Sequence, residues 1–586
     1  MPSTFFGLNI GTTGLYTYQA ALNTTSHNIA NTETVGYSRQ VITQKAGTPL
    51  KVNNTYGMAG TGVDVTGVYQ VRNEYYDLKY WKNSTLYGGY DTKSYYMKEI
   101  ENYFNELNME GFTTSFNSFY ESLQELSKDA SSLTVRTQVT NYAKSLTEYF
   151  NYLNTSLEGI QEEANFEVKN QVDRINSLAK QIATLTKQVN TLESGGGVAN
   201  DLRDERALLI DELSKIVNVS VSENVVGDGV GVTSYTVKIN GQTLVDTHDY
   251  NTLKTVPRTL KKNQNDIDGL YDVVWSNNQS FDVLSSTLGG SLKAIIEVRD
   301  GNNLENLRGK ATATTGQNTV TLTDSNINSI EKLNIPEKGV LTIGNQEYSY
   351  NSFTAVFDNA TGKYTYTFHL DKPISKDVSG VNASIGESIN YKGIPYYMGQ
   401  MNEFVRTFSK TFNDVHKTGQ DLKGEKGMDF FNGTIPATGE NYKFDTAESY
   451  YNLTAKNFTI TDDIYQNPNK LAIAKSVTDG VEDKAILEAL IALKSDKNMF
   501  KQGAPASFLQ TLVAEIGIDA KKASTFSKSQ EDILKMIGNQ RLSISGVDID
   551  EEAMNLVKFQ NAYNLSAKVI SVMDQIYNKL INEMGV

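Results

Sequence analysis

The side chains best suited to chemistry in this sequence are few and widely scattered. Imidazole is both a general base and a metal ligand, so a catalytic or metal site would draw first on histidine. The histidines are His27, His248, His369 and His416. No H-E-x-x-H or comparable ligand spacing surrounds any of them. We therefore predict no metal and no cofactor.

Two charged stretches could also be interpreted as acid–base sites: Asp204-Glu205-Arg206 and Arg299-Asp300. Both are typical of surface or interface ion pairs, which contribute little individually. The chain contains no cysteine, which excludes thiolate nucleophiles, disulfides and Cys-type metal sites. P-loop, G-x-S-x-G and dinucleotide patterns are missing from the sequence. We predict no catalytic residue, and hence no enzyme.

Length, net charge and hydropathy limit the number of domains and the classes of partner. A length of 586 residues predicts several domains. The formal charge of -14, with no dense Lys/Arg cluster, argues against nucleic acid or an anionic membrane as a partner. No apolar run approaches the roughly 20 residues of a membrane helix, so we expect no membrane insertion. The start of the chain lacks a basic region and a cleavage site, so we expect no secretory signal. This pattern is typical of a cytoplasmic protein, and it fits equally well with export by a machine that reads an uncleaved N-terminus.

Two apolar stripes, one at each end, define the elements that matter most. Their residues recur every seven positions: Leu8, Leu15, Leu22, Ile29, Ile549, Leu556, Tyr563, Ile570, Tyr577 and Met584. A helix with one narrow stripe at this step is stabilised by another helix along the seam. The termini are therefore predicted to pair with each other, or with the termini of neighbouring copies. Such an interface is typical of a building block.

Both terminal helices carry flaws for a simple coiled coil. In the first, Gly7, Gly11 and Gly14 each cost about 1 kcal/mol relative to Ala. In the last, Gln560 and Asp574 fall on the other half of the heptad. A tube with several neighbouring helices and some water would accept these polar residues, whereas a two-helix coil would be weakened. An ordinary amphipathic core helix is the alternative interpretation.

The start of the last helix has a clear signal. Asp548 can act as its N-cap, with Glu551 three residues later as a capping-box partner. Acidic residues in this first turn also suit the positive end of the helix dipole.

Helical and alternating patterns succeed one another along the chain. A long helix is predicted over 133–193, and Asn240-Gly241 predicts a hairpin turn. The predicted fold class is multidomain α plus β: a helical coiled coil or bundle built from the N- and C-terminal segments, with nested β-rich domains inserted in the middle. The predicted domains are 1–35 with 546–586 (terminal coiled coil and assembly core), 36–217 with 286–304, 394–416 and 483–545 (helical bundle), 218–285 with 417–482 (β-rich middle domain) and 305–393 (inserted β-rich outer domain).

A compact motif follows the first helix. Its residues are Asn28, Ile29, Ala30, Asn31, Thr34, Gly36, Tyr37 and Arg39. The asparagines suit a helix end and Gly36 permits a turn. The motif resembles the N-terminal signature of bacterial flagellar rod, hook and hook-associated proteins. The C-terminal run, with Phe559-Gln560 and Ala567-Lys568-Val569-Ile570, is similar to the junction members of that family.

Internal stretches extend the resemblance, while residues 305–390 show no family pattern. The matching stretches are 200–206, 239–245, 289–300 and Asn402-Glu403-Phe404 through Phe412-Asn413. The resemblance implies a structural subunit of the extracellular flagellum at the hook–filament junction, exported unfolded by the flagellar type III apparatus. It implies as partners further copies in a ring or helical oligomer, the hook protein, the next junction protein, and a cytoplasmic export chaperone on the C-terminal helix.

Two alternatives remain open at this point. The chain could be another axial subunit, of hook or filament, or a surface-exposed adhesive or antigenic binding module on a helical scaffold. Burying the terminal stripes against each other once does not offset the cost of ordering the terminal residues. We therefore predict that the termini are disordered in the free monomer and fold on assembly.

Overall fold

The computed structural model describes residues 6–53, 57–104, 111–226, 232–359, 361–477 and 483–583. In this part of the chain the α-helices are α1 (Phe6–Ala30), α2 (Glu74–Phe104), α3 (Phe112–Leu126), α4 (Leu133–Glu193), α5 (Asn200–Ile216), α6 (Ser291–Asp300), α7 (Ile394–His416), α8 (Asp462–Gln466), α9 (Ala485–Ala492), α10 (Pro505–Ser545) and α11 (Ile549–Asn582).

The strands fall into several small sheets and one barrel. They are β1 (Gln40–Ala46), β2 (Leu50–Asn53), β3 (Gly57–Ala59), β4 (Val63–Gln70), β5 (Val219–Val225), β6 (Thr233–Ile239), β7 (Gln242–Asp246), β8 (Asp249–Tyr250), β9 (Leu253–Pro257), β10 (Tyr271–Trp275), β11 (Arg308–Ala313), β12 (Thr319–Thr323), β13 (Gly339–Ile343), β14 (Gln346–Asp358), β15 (Lys363–Leu370), β16 (Val378–Ile385), β17 (Phe431–Gly433) and β18 (Phe458–Ile460).

The long helix α4 is the axis of the body. Its apolar side chains recur at three- and four-residue steps, so one face is buried along its whole length. Helices α3, α5 and α6 pack on that face, and α10 pairs with α2. The predicted bounds of this helix, 133–193, are confirmed. Gly196, with φ of +88°, lies in the turn that follows it.

The first β-rich segment packs on α4 as a four-stranded sheet, ordered β5-β6-β7-β8, beside the pair β9-β10. Asn240 and Gly241, at φ of 47° and 75°, form the two-residue turn between β6 and β7. Positive φ at both positions is the requirement of a type I′ hairpin turn. The predicted hairpin is therefore confirmed.

The second β-rich segment closes into a barrel with the strand order β11-β12-β15-β14-β13-β16. It has a hydrophobic core of its own, separate from that of the helical body. Its first and last strands are neighbours, and Arg308 lies opposite Ser384. The chain therefore enters and leaves this barrel, which we call the outer barrel, at one place.

The predicted fold class is confirmed: long terminal helices and a helical body carry β-rich segments in the middle. The domain boundaries stay a prediction, because one hydrophobic cluster runs from Leu146 of α4 to Val237 of β6 and Phe458 of β18. Within the described ranges, no helix combines the length and hydropathy needed to cross a bilayer.

The interpretation of Arg299-Asp300 as a surface or interface ion pair that contributes little is wrong. Both side chains are buried, with Arg299 Nε 2.8 Å from Asp300 Oδ1 and Arg258 Nη2 2.6 Å from Asp300 Oδ2. Burial alone would raise the pKa of Asp300, but the two guanidinium groups hold it below its usual range. The pair is therefore part of the core under α6, where it fixes the end of the helix. Its sequence signature does not distinguish this from a solvated pair.

Candidate assembly interface

The two terminal helices lie side by side and antiparallel, although they come from opposite ends of the chain. A Cβ built on Gly7 would lie 2.7 Å from Met573 Cε, and one on Gly11 would lie 2.9 Å from Ile570 Cγ1. A side chain on Gly11 would therefore collide with Ile570, and one on Gly7 would displace the flexible end of Met573. The glycines, which cost helix propensity, are the residues that let the two backbones approach closely.

The buried face of α1 is made of small and polar residues. They are Gly11, Gly14, Thr17, Ala21, Thr25 and Asn28. The predicted stripe Leu8, Leu15, Leu22 and Ile29 is only half-buried beside this face. The seam of α1 therefore differs from the predicted one: glycine, alanine and threonine lie deepest, and the leucines flank them.

On α11 the half-buried side chains alternate at steps of three and four, as a coiled-coil seam requires. The seam positions are Leu556, Phe559, Tyr563, Ser566, Ile570, Met573 and Tyr577, and Asn555, Ala562 and Ala567 are half-buried beside them. The assignment of Gln560 and Asp574 to this seam is wrong, because both are exposed and Phe559 and Met573 occupy the second half of the heptad. Ile549 is 53% exposed, and Met584 lies outside the described residues.

A second apolar stripe runs along α11 at the edge of the α1 contact and remains exposed. It consists of Leu565, Val569, Val572, Ile576 and Leu580. All are exposed, Leu565 by 68%, and their spacing puts them on one helix face. We call this set the open stripe. A contiguous exposed apolar surface of this kind marks an interaction site.

The pair also lacks a core of its own. Ala21 is the one fully buried hydrophobic residue on α1, and Glu552 is the one fully buried residue described on α11. Most helical stability in proteins comes from tertiary packing of an apolar face. The two helices alone therefore bury little of the apolar surface that they carry.

The motif after α1 holds the chain in a fixed turn. The side chain of Asn28 is buried, donates to the carbonyl oxygen of Gln40 at 2.9 Å, and accepts from the Gln40 N–H at 2.9 Å and from the Tyr37 hydroxyl at 2.8 Å. Burial and the nearby carboxylates of Asp201 and Asp204 raise the pKa of Tyr37, so it remains a neutral donor. These bonds fix the angle between α1 and β1.

The neighbouring motif positions complete this turn. Asn31 Nδ2 donates to the His27 carbonyl oxygen at 3.0 Å, and Thr34 Oγ1 donates to Asn31 Oδ1 at 3.1 Å. Gly36 has φ of +83°, a conformation that other residues rarely adopt, and lies against Leu208. Ile29 is half-buried and Ala30 is exposed at the end of α1.

Arg39 joins the two ends of the chain. Its backbone N–H donates to the Ser545 carbonyl oxygen at 2.7 Å. Its Nε donates to Glu552 Oε1 at 2.7 Å, and its Nη2 donates to Glu551 Oε1 at 2.8 Å. Asp548 Oδ1 accepts from the N–H groups of Asp550 and Glu551, so the predicted N-cap is confirmed. Glu551, predicted as a capping-box partner, instead contacts Arg39.

Acidic residues of α5 connect this joint to the body. Asp204 accepts from the Ser38 N–H and hydroxyl, both at 2.7 Å, and from Arg72 at 3.2 Å. Burial raises the pKa of Asp204, although Ser38 and Arg72 oppose this. Gln40 Nε2 donates to Asp201 Oδ1 at 2.6 Å. The prediction that Asp204-Glu205-Arg206 forms a surface or interface ion pair is wrong for Asp204 and Arg206, which are both buried. Their position in the family-like stretch 200–206 was the available signal.

We call Asn28, Tyr37, Arg39, Asp204 and Glu552 the terminal joint. Arg541, at the end of α10, extends it with bonds to Asp77 at 2.8 Å and Asp211 at 2.6 Å. Paired buried charges of this kind are costly to break, because removing one partner leaves the other unpaired. The joint therefore fixes where the terminal pair leaves the body.

The histidines lie on different elements, with His27 on α1, His369 on β15 and His416 on α7. His27 is 3.4 Å from Asp201 at the surface, whereas His416 is buried, with Nδ1 2.6 Å from the Met428 carbonyl oxygen and Nε2 accepting from the Ala472 N–H at 2.9 Å. Burial lowers the pKa of His416 to about 4, which keeps it neutral. Across the described ranges, no cluster of three or more His, Asp or Glu side chains could hold a metal ion.

Three family models match different parts of the chain. Residues 97–339 match the model described as the flagellar hook-associated protein FlgK helical domain. Residues 8–37 match the flagella basal body rod protein, and residues 539–583 match the flagellar basal body rod FlgEFG protein C-terminal model. The two rod-type matches cover α1 with the motif after it, and α11 with the end of α10.

The chain is similar over its whole length to proteins named flagellar hook-associated protein 1. Flagellar hook-associated protein 1 of Bacillus subtilis is 28% identical over 100% of this chain and 99% of its own length. The protein of that name from Escherichia coli is 28% identical over 98% of this chain and 99% of its own. A solved structure, the flagellar hook junction protein FlgK from Burkholderia pseudomallei, covers 80% of this chain and 100% of its own, with a TM-score of 0.48 and 15% identity. The resemblance found in the sequence is confirmed.

Proposed function

The chain is a relative of flagellar hook-associated protein 1 over its full length, and on that premise we propose that it is a structural subunit of the bacterial flagellum, forming the ring that joins hook to filament. The matches to flagellar family models already indicate a component of the flagellum. A structural role leaves no reaction to assign, so we infer that the chain is not an enzyme.

The open stripe is the observation that supports this proposal most directly. Burying each of its aliphatic side chains is worth about 1.5–3 kcal/mol, and a lone chain leaves them in water. Neighbouring copies can supply the missing helices. Because the open stripe and the α1 seam lie on different faces of α11, contact between copies is heterologous, which builds rings or helical tubes.

The predicted stripe residues keep a role in this proposal. Leu8, Leu15, Leu22 and Ile29, half-buried along α1, have apolar surface left for a neighbour. The same holds for Leu556, Tyr563, Ile570 and Tyr577 on α11. Since the pair has no core of its own, we propose that the termini order fully only on assembly. Amide exchange should be fast across α1 and α11 in the free chain and slow in the assembled ring.

The open stripe also bears on the binding partners of the chain and on its export. We propose that the hook protein lies on one side of the ring and the next junction protein on the other. Before assembly the open stripe needs cover, and a helical export chaperone would supply it by taking α11 into an apolar groove. Export unfolded through the flagellar type III apparatus suits a chain without disulfides.

Genetic removal with electron microscopy tests the proposal. A deletion strain should carry hooks without filaments and shed flagellin into the medium. Complementation with the unchanged chain should restore filaments, whereas a Val569→Asp/Ile576→Asp chain should not. A Gln575→Asp chain, altered at an exposed polar position of the same helix, is the matched control and should restore them. Filaments on the deletion strain would refute the junction role.

The outer barrel permits a separate test of the adhesive alternative. Because Arg308 and Ser384 lie on neighbouring strands, residues between them can be replaced by a short glycine linker. If the ring depends on the terminal helices, this shortened chain should still restore filaments. Loss of filaments would mean that the barrel is part of the junction, and loss of surface binding with filaments intact would favour an adhesive role.

A further inference from the structure

A fully buried arginine lies where the outer barrel meets the helical body. Arg406 is on α7, within the family-like stretch from Asn402 to Asn413, and its exposed fraction is 0%. The flagellar role proposed above gives this residue no part. Its guanidinium plane also lies over the Tyr451 ring, 5.3 Å from the centroid.

All five N–H donors of Arg406 have acceptors. Nε donates to the Leu453 carbonyl oxygen at 2.8 Å, and Nη1 donates to those of Glu331 at 3.1 Å and Leu333 at 2.7 Å. Nη2 donates to Gln264 Oε1 at 2.5 Å and to the Tyr451 carbonyl oxygen at 2.7 Å. These partners belong to three segments that are remote in sequence.

One of those segments belongs to the outer barrel. Ile330 and Leu333, between β12 and β13, are part of the barrel core, and so is Tyr451 of the body segment. The Tyr451 hydroxyl donates to the Ile335 carbonyl oxygen at 2.5 Å. Burial lowers the pKa of Arg406 to about 10, so the guanidinium remains charged at neutral pH. A charged fork with fixed geometry holds its acceptors more rigidly than an apolar contact does.

Elsewhere on the same boundary the barrel and the body stand apart. A cleft of about 740 Å³ opens between them, with Val256 and Arg258 on the body side and Val340 and Ser349 on the barrel side. At its margin lies the ion pair of Lys262 with Glu387, which is partly exposed and therefore weak. The cleft shares no lining residue with the surroundings of Arg406.

We infer that Arg406 is a buried clamp that fixes the orientation of the outer barrel on the helical body and thereby keeps this cleft open. Without it, the contacts left between barrel and body include the two chain crossings, the Tyr451 contact with Ile335 and partly exposed ion pairs such as Lys262 with Glu387. Apart from Tyr451, the barrel core is built from residues 307–385, so the barrel would then pivot largely as a unit.

Distance measurement across the cleft tests the inference. The chain has no cysteine, so Val256→Cys with Ser349→Cys places two spin labels on opposite walls in a clean background. The full-length labelled chain should give one narrow distance distribution. Adding Arg406→Met should broaden it about twofold or more. Lys410→Met is the matched control: it removes the Lys410–Glu331 pair at 3.0 Å on the next turn of α7 and should leave the distribution narrow.

The width of the distance distribution in each variant either supports or overturns the clamp. A distribution in the Arg406→Met chain as narrow as in the Lys410→Met chain would overturn the clamp. If Arg406→Met fails to fold by circular dichroism, Arg406→Lys replaces it: this change keeps a buried cation but replaces the planar five-donor fork by a single ammonium with three donors. Broadening in Arg406→Lys would support the clamp, and an unchanged width would overturn it. The measurement uses the free chain and is independent of any role in the flagellum.

Discussion

A single engineered disulfide tests the antiparallel pairing of the terminal helices. A Cβ on Gly14 would lie 3.7 Å from Ser566 Cβ. Disulfides have Cβ–Cβ distances of about 3.5–4.5 Å, with a mean near 3.8 Å. Gly14→Cys with Ser566→Cys should therefore form a bond without moving either helix. Because the natural chain lacks cysteine, no native thiol competes, and bonds between neighbouring copies are recognised by their larger mass on the gel.

The expected stabilisation is large because the bond closes almost the whole chain. The chain-entropy relation gives about 6 kcal/mol at 25 °C for a loop from residue 14 to residue 566, and measured disulfides usually yield about 2–4 kcal/mol. The control pairs Gly14→Cys with Leu565→Cys. Leu565 is the adjacent residue, but it belongs to the open stripe and its side chain is 68% exposed.

Non-reducing gels after mild oxidation provide the assay. In the assembled ring the 14–566 bond should form about tenfold faster than the 14–565 bond, a preference of about 1.4 kcal/mol. In the free chain the two rates should be similar, because we propose that the termini order only on assembly. Equal rates in the ring would refute the seam, and a strong preference in the free chain would refute folding on assembly.

Three further changes probe the terminal joint and the core. Arg39→Ala should leave the carboxylate of Glu552, 2% exposed, without its partner and cost about 3–5 kcal/mol, seen in the assembled ring as faster amide exchange in the first turns of α11. Asp548→Ala should remove the N-cap of α11 and cost about 1 kcal/mol, seen by the same exchange measurement on the assembled ring. Burial lowers the pKa of His416 to about 4 in the folded chain, against 6.5 in the unfolded chain. Between these pH values only the unfolded chain takes up the proton. The stability that neutral His416 contributes is therefore present above pH 6.5 and is lost as pH falls toward 4. The loss from pH 7 to pH 5 should be about 2 kcal/mol, and His416→Gln, compared by urea unfolding, should lack it.

Long, regular elements could be predicted well from the sequence. The bounds of α4 follow from apolar residues at helical spacing, and the Asn240-Gly241 turn follows from the requirement for positive φ. The N-cap at Asp548 could be predicted for the same reason, since the interaction is local. These features depend on residues a few positions apart.

The seam between the terminal helices could be predicted only in part. The seven-residue step correctly located one half of the α11 face, at Leu556, Tyr563 and Ile570. It placed the second half at Gln560 and Asp574, four residues after stripe positions, whereas the structure uses Phe559 and Met573, three residues after them. A heptad pattern allows either spacing, and the partner helix decides which one is covered. The role of Gly11 was hidden for a related reason: a missing side chain has no hydrophobicity to detect, and its value lies in the helix that approaches it.

Burial of charge was decided by the tertiary structure alone. Arg299, Asp204 and Arg406 look like solvated residues in sequence, yet each is buried and bonded to chain segments far away. The sequence by itself determined which segments are helical, where the β-rich parts lie, and which family the two ends resemble, because these depend on local spacing and motifs. The fold decided which charges meet, how the glycines of α1 pack and which apolar stripe is left in water, because those depend on the arrangement of parts separated by hundreds of residues.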